Sequence, residues 1–368
     1  MRESPLRVLV VDDTVVYRKV VSDVIAELPG AEVVGVAHDG KIAMSKIASL
    51  QPDVLTLDIE MPEMNGLEVL NRMRTDAPDT GAIMLSTLTH KGGEMTMKAL
   101  ELGAFDFVPK PETRSIDESK LAVKTALAPM LKAFARQKEM RTLLKSTGPS
   151  AEAAKREVSL SSSVVRRTAL YERRHGTSQI VGIGVSTGGP NALAKMLPGL
   201  SGQINVPILI VQHMPPLFTQ SLAKSLDAKC AIAVKEAIDG EPVCPNTAFI
   251  APGGKHMKLV AGADGKSRII RVTDDPPENS CRPSVDYLFR SIAHYYVGRA
   301  TGVIMTGMGT DGTQGLKMMK DNGAVVIAQD HGSSTVYGMP KEAVDAGVVD
   351  VVTPLDKMAE EIGKTVKG

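Results

Sequence analysis

IVGIGVSTGGPNALAKMLPGL, residues 180–200, joins a buried strand to a helix through a tight turn. Ile180 to Val185 is a short apolar run of strand length. Thr187-Gly188-Gly189 supplies the turn, and Pro190 falls where the first helical residue is expected. Its fixed φ suits that position, and its missing N–H is no loss there. Ser186 therefore sits on the strand-to-helix bend. Gly184-Val-Ser186-Thr-Gly188 fits G-x-S-x-G, in which small neighbours allow a sharp turn and an exposed Oγ. The N–H groups just after Ser186 lie at a helix N-terminus, where developing negative charge is favoured. Three roles stay open for this turn: a nucleophile, a phosphate cradle, or a plain connection. The dinucleotide pattern G-x-G-x-x-G is excluded, because Thr187 stands where its third glycine belongs.

The strand-turn-helix unit recurs on both sides of this run. With 368 residues and 43% hydrophobic content, the chain can bury more than one core, so two domains are expected. A net charge of +1 gives no long-range steering towards nucleic acid or a membrane surface, and 3% aromatics with no Trp leave little for base stacking. Cys230, Cys244 and Cys281 share no ligand or redox spacing, which suits a reducing cytosol. With no signal-like amino-terminal segment and no apolar run near 18 residues, a cytoplasmic protein without membrane insertion is expected.

In the first third, Leu6–Val11, Ala31–Ala37, Asp53–Leu57, Ala82–Leu85 and Phe105–Val108 read as strands, alternating with helical runs at Val15–Leu28, Lys41–Leu50, Met64–Met73 and Gly93–Leu102. Such alternation predicts a doubly wound parallel sheet, whose strand carboxyl ends share one ligand-binding edge. Asp12, Asp13 and Asp58 gather on that edge with Ser86 and Lys110. Clustered carboxylates repel unless a hard cation such as Mg²⁺ neutralises them, and Lys110 and Ser86 suit an incoming phosphoryl group.

Asp12-Asp13, Asp58-Ile-Glu-Met-Pro-Glu-Met-Asn-Gly66, Ser86 and Lys110-Pro111 resemble the response-regulator receiver domain over about residues 5–125. The resemblance implies that Asp58 accepts phosphate from a histidine kinase. It also implies Mg²⁺ on Asp12, Asp13, Asp58 and the backbone carbonyl of Glu60, with Ser86 and Phe107 as switch hydroxyl and switch aromatic. Thr87 is a candidate for the role of Ser86. A helical pattern over Ser119–Leu144, broken at Pro129, is expected to run into a flexible linker. Polar residues 146–178, with Arg166, Arg167, Arg173 and Arg174, complete that linker. The expected boundaries are 1–125 for the receiver, 126–177 for the linker and 178–368 for a second α/β domain.

Pro207–Val211, Ala231–Val234, Thr247–Ala251, Thr301–Met305 and Ala324–Ala328 read as further strands. Ser186, His213 and Asp311 each follow a strand end and can converge as nucleophile, general base and orienting carboxylate. His256, His331 and Asp330 also follow strand ends, so position alone leaves the partners open.

Gly182-Ile-Gly-Val-Ser-Thr-Gly-Gly-Pro190, Val211-Gln-His-Met-Pro215, Ile250-Ala-Pro-Gly-Gly-Lys-His-Met257 and Met305-Thr-Gly-Met-Gly-Thr-Asp-Gly312 together resemble the catalytic domain of the CheB family of chemotaxis methylesterases. The implied fold is a Rossmann-like catalytic domain behind a flavodoxin-like receiver. Implied roles are Ser186 as nucleophile, His213 as base, Asp311 as orienter, the Met308 N–H in the oxyanion hole, and Thr187 beside the triad. Cys281 departs from the pattern, standing where histidine is expected. The implied reaction is hydrolysis of glutamate γ-methyl esters, with deamidation of some glutamines, on chemotaxis receptors, needing no cofactor in this half. The unphosphorylated receiver is expected to cover the triad-bearing edge until Asp58 is phosphorylated. A phosphorylation-gated nucleotide-binding module and a transcription regulator are the rival classes; neutral charge and the lack of a helix-turn-helix pattern disfavour the latter.

Overall fold

The computed structural model describes residues 4–111, 115–146 and 177–366, the side chains of 140–146 excepted. The chain divides into two units, Met1–Met140 and Arg141–Gly368.

In the first unit the strands are β1 (Leu6–Val11), β2 (Ala31–Ala37), β3 (Val54–Asp58), β4 (Gly81–Ser86) and β5 (Asp106–Pro109). The helices are α1 (Val15–Ala26), α2 (Gly40–Leu50), α3 (Gly66–Asp76), α4 (His90–Glu101) and α5 (Ile116–Ser146). All strand pairs are parallel, in the order β2-β1-β3-β4-β5. The order reverses between β1 and β3, which opens a crevice at their carboxyl ends. Asp12 and Asp13 follow β1 there, and Asp58 ends β3.

The expected break at Pro129 is absent: α5 passes through that residue and continues to Ser146. Tertiary contacts offset the single backbone hydrogen bond that proline removes. Leu127, Leu131 and Phe134 are buried, Phe134 packs edge-on against Phe105 at 5.3 Å, and Lys138 pairs with Asp53. Helix α5 therefore packs on the first unit beyond position 125. The flexible-linker expectation, with its four arginines, falls mainly on residues 147–176, outside the described residues.

The second unit holds β6 (Ile180–Val185), α6 (Gly189–Met196), β7 (Ile208–Gln212), α7 (Phe218–Asp227), β8 (Ala233–Glu236), β9 (Thr247–Ile250), β10 (His256–Ala261) and β11 (Arg268–Thr273). It continues with α8 (Val285–Tyr295), β12 (Ala300–Ile304), α9 (Thr313–Asp321), β13 (Val325–Gln329), α10 (Met339–Asp345), β14 (Val351–Thr353) and α11 (Leu355–Val366). Seven strands form one parallel sheet, β14-β13-β12-β6-β7-β9-β8. Strands β6, β7, β12 and β13 are buried along their whole length, as a sheet covered on both faces requires. Here the order reverses at β6, with β7 on one side and β12 on the other, so the crevice lies above β6.

The antiparallel hairpin β10-β11 went unanticipated. Its signal was the pair Asp264-Gly265 between two alternating runs. The Asp264 carboxylate accepts the N–H groups of Lys266 and Ser267, and Gly265 takes φ +66°, both as a tight turn demands. Strand β14 and helices α10 and α11 were likewise missed; β14 has three residues, too few to read, whereas Leu355, Met358 and Ile362 at helical spacing were the signal for α11.

Candidate active site

Strand β6 delivers Ser186 to the crevice. Thr306 O accepts the Ser186 N–H at 3.0 Å, and Ser186 O accepts the Gly189 N–H at 2.7 Å. Two donors of the turn are thereby spent internally, so it makes a poor phosphate cradle. Ser186 itself is not left-handed; the bend is carried by Gly188 at φ +73°, where a Cβ would lie 2.4 Å from the Thr335 side chain. The sharp turn that G-x-S-x-G suggested is thus made at Gly188, two residues beyond the serine, where the left-handed backbone calls for glycine.

Strand β7 delivers His213. Val185 pairs with Gln212 across β6 and β7, and the His213 N–H continues the ladder to Val185 O at 3.1 Å. Ser186 and His213 are therefore the next residues out on strands about 4.8 Å apart. Gln212, which the sequence reading passed over, ties them together: its amide nitrogen donates to Ser186 O at 3.0 Å and His213 O at 3.2 Å.

Asp311 follows β12 and is 3% exposed. One oxygen, Oδ2, lies 2.8 Å from His213 Nε2 and accepts the Val285 N–H at 2.7 Å. The other accepts from Asn279 Nδ2, Ser284 Oγ and the Asp286 N–H, at 2.9, 2.9 and 3.1 Å. Ser284 caps α8, so the carboxylate also sits at a helix N-terminus, where negative charge is stabilised. Burial opposes ionisation of Asp311, but the His213 contact and these donors outweigh it, holding the carboxyl well below the usual range. For His213, burial disfavours the charged ring, yet Asp311 and the neighbouring Cys281 prevail and push it up to about 9.

The competitors are otherwise engaged. His256 is fully buried, stacks on Tyr287, accepts the Ser284 N–H at Nδ1 and donates Nε2–H to Pro276 O. Asp330 caps a turn by accepting from Ser333 N and Oγ, and His331 packs edge-on against Tyr337. Neither histidine reaches Asp311.

Among the described residues the Ser186 hydroxyl makes no hydrogen bond, and the other His213 nitrogen, Nδ1, is hydrogen-bonded to Cys281 Sγ at 3.7 Å. The Ser–His contact that the sequence pattern anticipates is thus not made at rest. Resting enzymes often leave such bonds to form with substrate, and the strand register puts both residues side by side without any hinge.

The loop after β12 closes the site from the other flank. A Cβ on Gly307 would lie 2.7 Å from Ser186 Cβ, so only glycine admits this approach. Thr306 Oγ1 donates to Thr187 O at 2.9 Å. Among the described residues, the N–H groups of Thr187 and Met308 donate to no protein acceptor. Two free donors thus border Ser186, as a developing oxyanion needs.

In the first unit, Lys110 Nζ makes ion pairs with Asp12 and Asp58 at 2.7 and 2.8 Å. Oxygens of Asp12, Asp13 and Asp58 lie within 4.8 Å of one another. Burial pushes Asp58 up to about 6, with Lys110 pulling down and Asp12 pushing up. Beyond its ion pair, Asp12 Oδ2 has no hydrogen-bond partner. Three hard oxygen donors with one lysine between them fit a divalent cation such as Mg²⁺. Ser86 accepts from Thr96 Oγ1 at 2.8 Å and donates towards Gly92 O at 3.3 Å; Phe107 is buried. Thr87 Oγ1 instead meets Thr89 Oγ1 at 3.4 Å, outside that network. The Glu60 side chain pairs with Lys91, and its N–H points at Asp58 Oδ1. Tyr17, which the sequence reading omitted, lies under Lys110 with the ammonium 4.9 Å from its ring centre.

These two sites define a phosphoryl-accepting receiver unit and a hydrolase-like α/β unit on one chain, and comparison with known proteins agrees. Residues 8–120 match the response regulator receiver domain and residues 181–362 the CheB methylesterase domain. A protein-glutamate methylesterase/protein-glutamine glutaminase of Desulfotalea psychrophila is 55% identical, covering 98% of this chain and 99% of its own. Its counterpart in Trichodesmium erythraeum is 41% identical, with 97% of each chain covered. The crystal structure of the Thermotoga maritima CheB methylesterase catalytic domain is 41% identical, covers 51% of this chain and 99% of its own, and superposes with a TM-score of 0.50. The chain belongs to the protein-glutamate methylesterase/protein-glutamine glutaminase family. No helix among the described residues is long and apolar enough to cross a membrane.

Proposed function

We propose that the chain is a cytoplasmic, phosphorylation-activated serine hydrolase that removes γ-methyl groups from glutamate esters of chemotaxis receptors and deamidates some of their glutamines. The observation that carries this reading is the His213–Asp311 pair, 2.8 Å long and set beside Ser186 at the ends of adjacent strands. Because Nε2 is committed to Asp311, Nδ1 is the atom that takes the Ser186 proton. Ser186 Oγ then bonds to the ester carbonyl carbon, and the carbonyl oxygen becomes the oxyanion held by the Met308 and Thr187 N–H groups. Nδ1–H passes its proton to the leaving methoxide, releasing methanol; for an amide, ammonia leaves. Water, deprotonated at the same nitrogen, cleaves the acyl-serine to glutamate. Asp311 keeps the ring in the right tautomer and stabilises the imidazolium.

Asp58 is the proposed acceptor of phosphate from a histidine kinase. Asp12, Asp13, Asp58 and the Glu60 carbonyl would hold Mg²⁺, which offsets the charge of the phosphoryl oxygens when bound. Lys110 is placed to pair with the new phosphate, and Ser86, released from Gly92, to donate to it; Phe107 then repacks. In this scheme the receiver restrains the catalytic unit until Asp58 is phosphorylated.

The test is methanol release from methylated receptor membranes, with and without a phosphodonor. Ser186→Ala is expected to lower the rate by about 10³-fold or more. Asp58→Asn is expected to keep the basal rate and lose the stimulation. A Ser186→Ala enzyme within tenfold of wild type would refute the nucleophile assignment. A fragment of residues 177–368 no faster than the unphosphorylated full chain would refute restraint by the receiver.

A further inference from the structure

Cys281 takes no part in the chemistry above, yet its thiol lies 3.7 Å from His213 Nδ1. A tetrahedral zinc ion with Zn–N near 2.0 Å and Zn–S near 2.3 Å spans about 3.5 Å between a nitrogen and a sulfur ligand. The resting separation is within about 0.2 Å of that bite.

The far side of the ring is also arranged as in a metal site. Histidine ligands commonly donate their second N–H to a carboxylate, which fixes the tautomer and raises the basicity of the coordinating nitrogen. Here Asp311 Oδ2 accepts from Nε2 at 2.8 Å, and Asp311 is itself held by Asn279, Ser284 and the α8 backbone. The adjacent cation turns away, since the Arg282 guanidinium donates to the carbonyls of Asp274 and Asp275. Cys281 and the His213 ring are both partly exposed, so an ion can reach them. Ligand atoms of His213, Cys281 and Asp311 all lie within 4.8 Å of one another.

We propose that His213 Nδ1 and Cys281 Sγ form a binding site for a thiophilic divalent cation, Zn²⁺ in particular, with Asp311 supporting the histidine and water completing the coordination. Binding forms the Zn–N and Zn–S bonds and releases to solvent the thiol proton and, where the ring is charged, the Nδ1 proton as well. Nδ1 is also the atom that accepts the Ser186 proton, so metal and catalysis exclude one another. Zinc is thus a reversible, competitive off-switch for hydrolysis. This inhibitory consequence rests on the function proposed above, whereas the metal site does not.

The experiment uses the full-length chain with saturating Mg²⁺, which occupies the oxygen-only cluster of the receiver. Titration with Co²⁺ is expected to give a thiolate-to-cobalt charge-transfer band in the near ultraviolet, displaced by Zn²⁺. The band should survive in Cys230→Ser and Cys244→Ser and vanish in Cys281→Ser. In wild type, Zn²⁺ should also slow alkylation of Cys281, read by mass spectrometry, which tests the site without any variant. In the methylesterase assay Cys281→Ser should need at least tenfold more Zn²⁺ for half-inhibition, and a chelator should restore wild-type activity. A band that persists in Cys281→Ser, no band in wild type, or alkylation of Cys281 indifferent to Zn²⁺ would each overturn the site. A cobalt band present without Zn²⁺ inhibition would overturn only the off-switch.

Discussion

Asp58 and Asp311 stand in corresponding places, each at the carboxyl end of a parallel strand beside the point where strand order reverses, and their surroundings are opposite. Asp58 shares its pocket with Asp12 and Asp13, and the ion pairs to Asp12 and Asp58 both come from Lys110. Burial raises it to about 6. Asp311 is ringed by donors, from the His213 ring to the first N–H groups of α8, and is held well below the ordinary carboxylate range. One fold location thus yields two chemistries. An excess of negative charge makes a carboxylate that wants a cation and a phosphoryl group; an excess of donors makes one that stays ionised and orients an imidazole.

The comparison breaks most visibly at Asp311. Asp311→Asn should lower methanol release by about 10²- to 10⁴-fold while the protein stays folded, because the amide stabilises the wrong tautomer and no imidazolium. A loss under tenfold would mean that the donor-rich carboxylate is structural only.

The pH profile comes next in size. His213 must lose its proton to act as base, so kcat/KM should climb with pH towards about 9 and then level. In the residual activity of Asp311→Asn that limb should move to lower pH, since the strongest of the contacts that raise the ring is gone. For stability the sign is reversed. The raised ring contributes fully below pH 6.5, and its contribution is lost as pH passes through about 9.

At Asp58 the same linkage predicts a gain on substitution. A carboxyl raised from 3.8 to about 6 costs the fold nothing below 3.8 and the full penalty above 6. Asp58→Asn should therefore raise the Tm of the receiver unit at pH 7.5 by a few degrees without Mg²⁺, from roughly 1–3 kcal/mol. The difference should shrink at pH 4 or with Mg²⁺ present. Calorimetry showing equal gains at both pH values would remove charge excess as the cause.

The smallest effect is expected at Asn279, one of several donors to Asp311. Asn279→Ala should lower kcat about 3- to 10-fold with little change in KM, the worth of one hydrogen bond among many. A change confined to KM would place Asn279 in substrate binding instead.

Local signals in the chain were enough for much of this. Short apolar runs ending in Asp12, Asp58, Ser186, His213 and the Thr306–Asp311 loop fixed two parallel sheets and the edge on which each site lies, because a buried parallel strand must be apolar and its polar continuation must emerge at one rim. The uninterrupted α5 and the last strand escaped because packing rather than periodicity sustains them, whereas the hairpin β10-β11 had a local signal in Asp264-Gly265 that went unread.

Strand position alone left His213, His256 and His331, and Asp311 and Asp330, as equals; the family resemblance favoured His213 and Asp311, and the folded chain joins those two by a hydrogen bond. Those choices depend on hydrogen bonds between residues up to 98 positions apart, as in the His213–Asp311 pair. The supporting groups Gln212, Asn279 and Ser284 belong to the same class: ordinary residues whose role exists only once distant strands bring them together. Sequence determined which side chains could do chemistry and where the sheet would present them; folding determined which of them touch, because burial and hydrogen bonding are properties of neighbours in space.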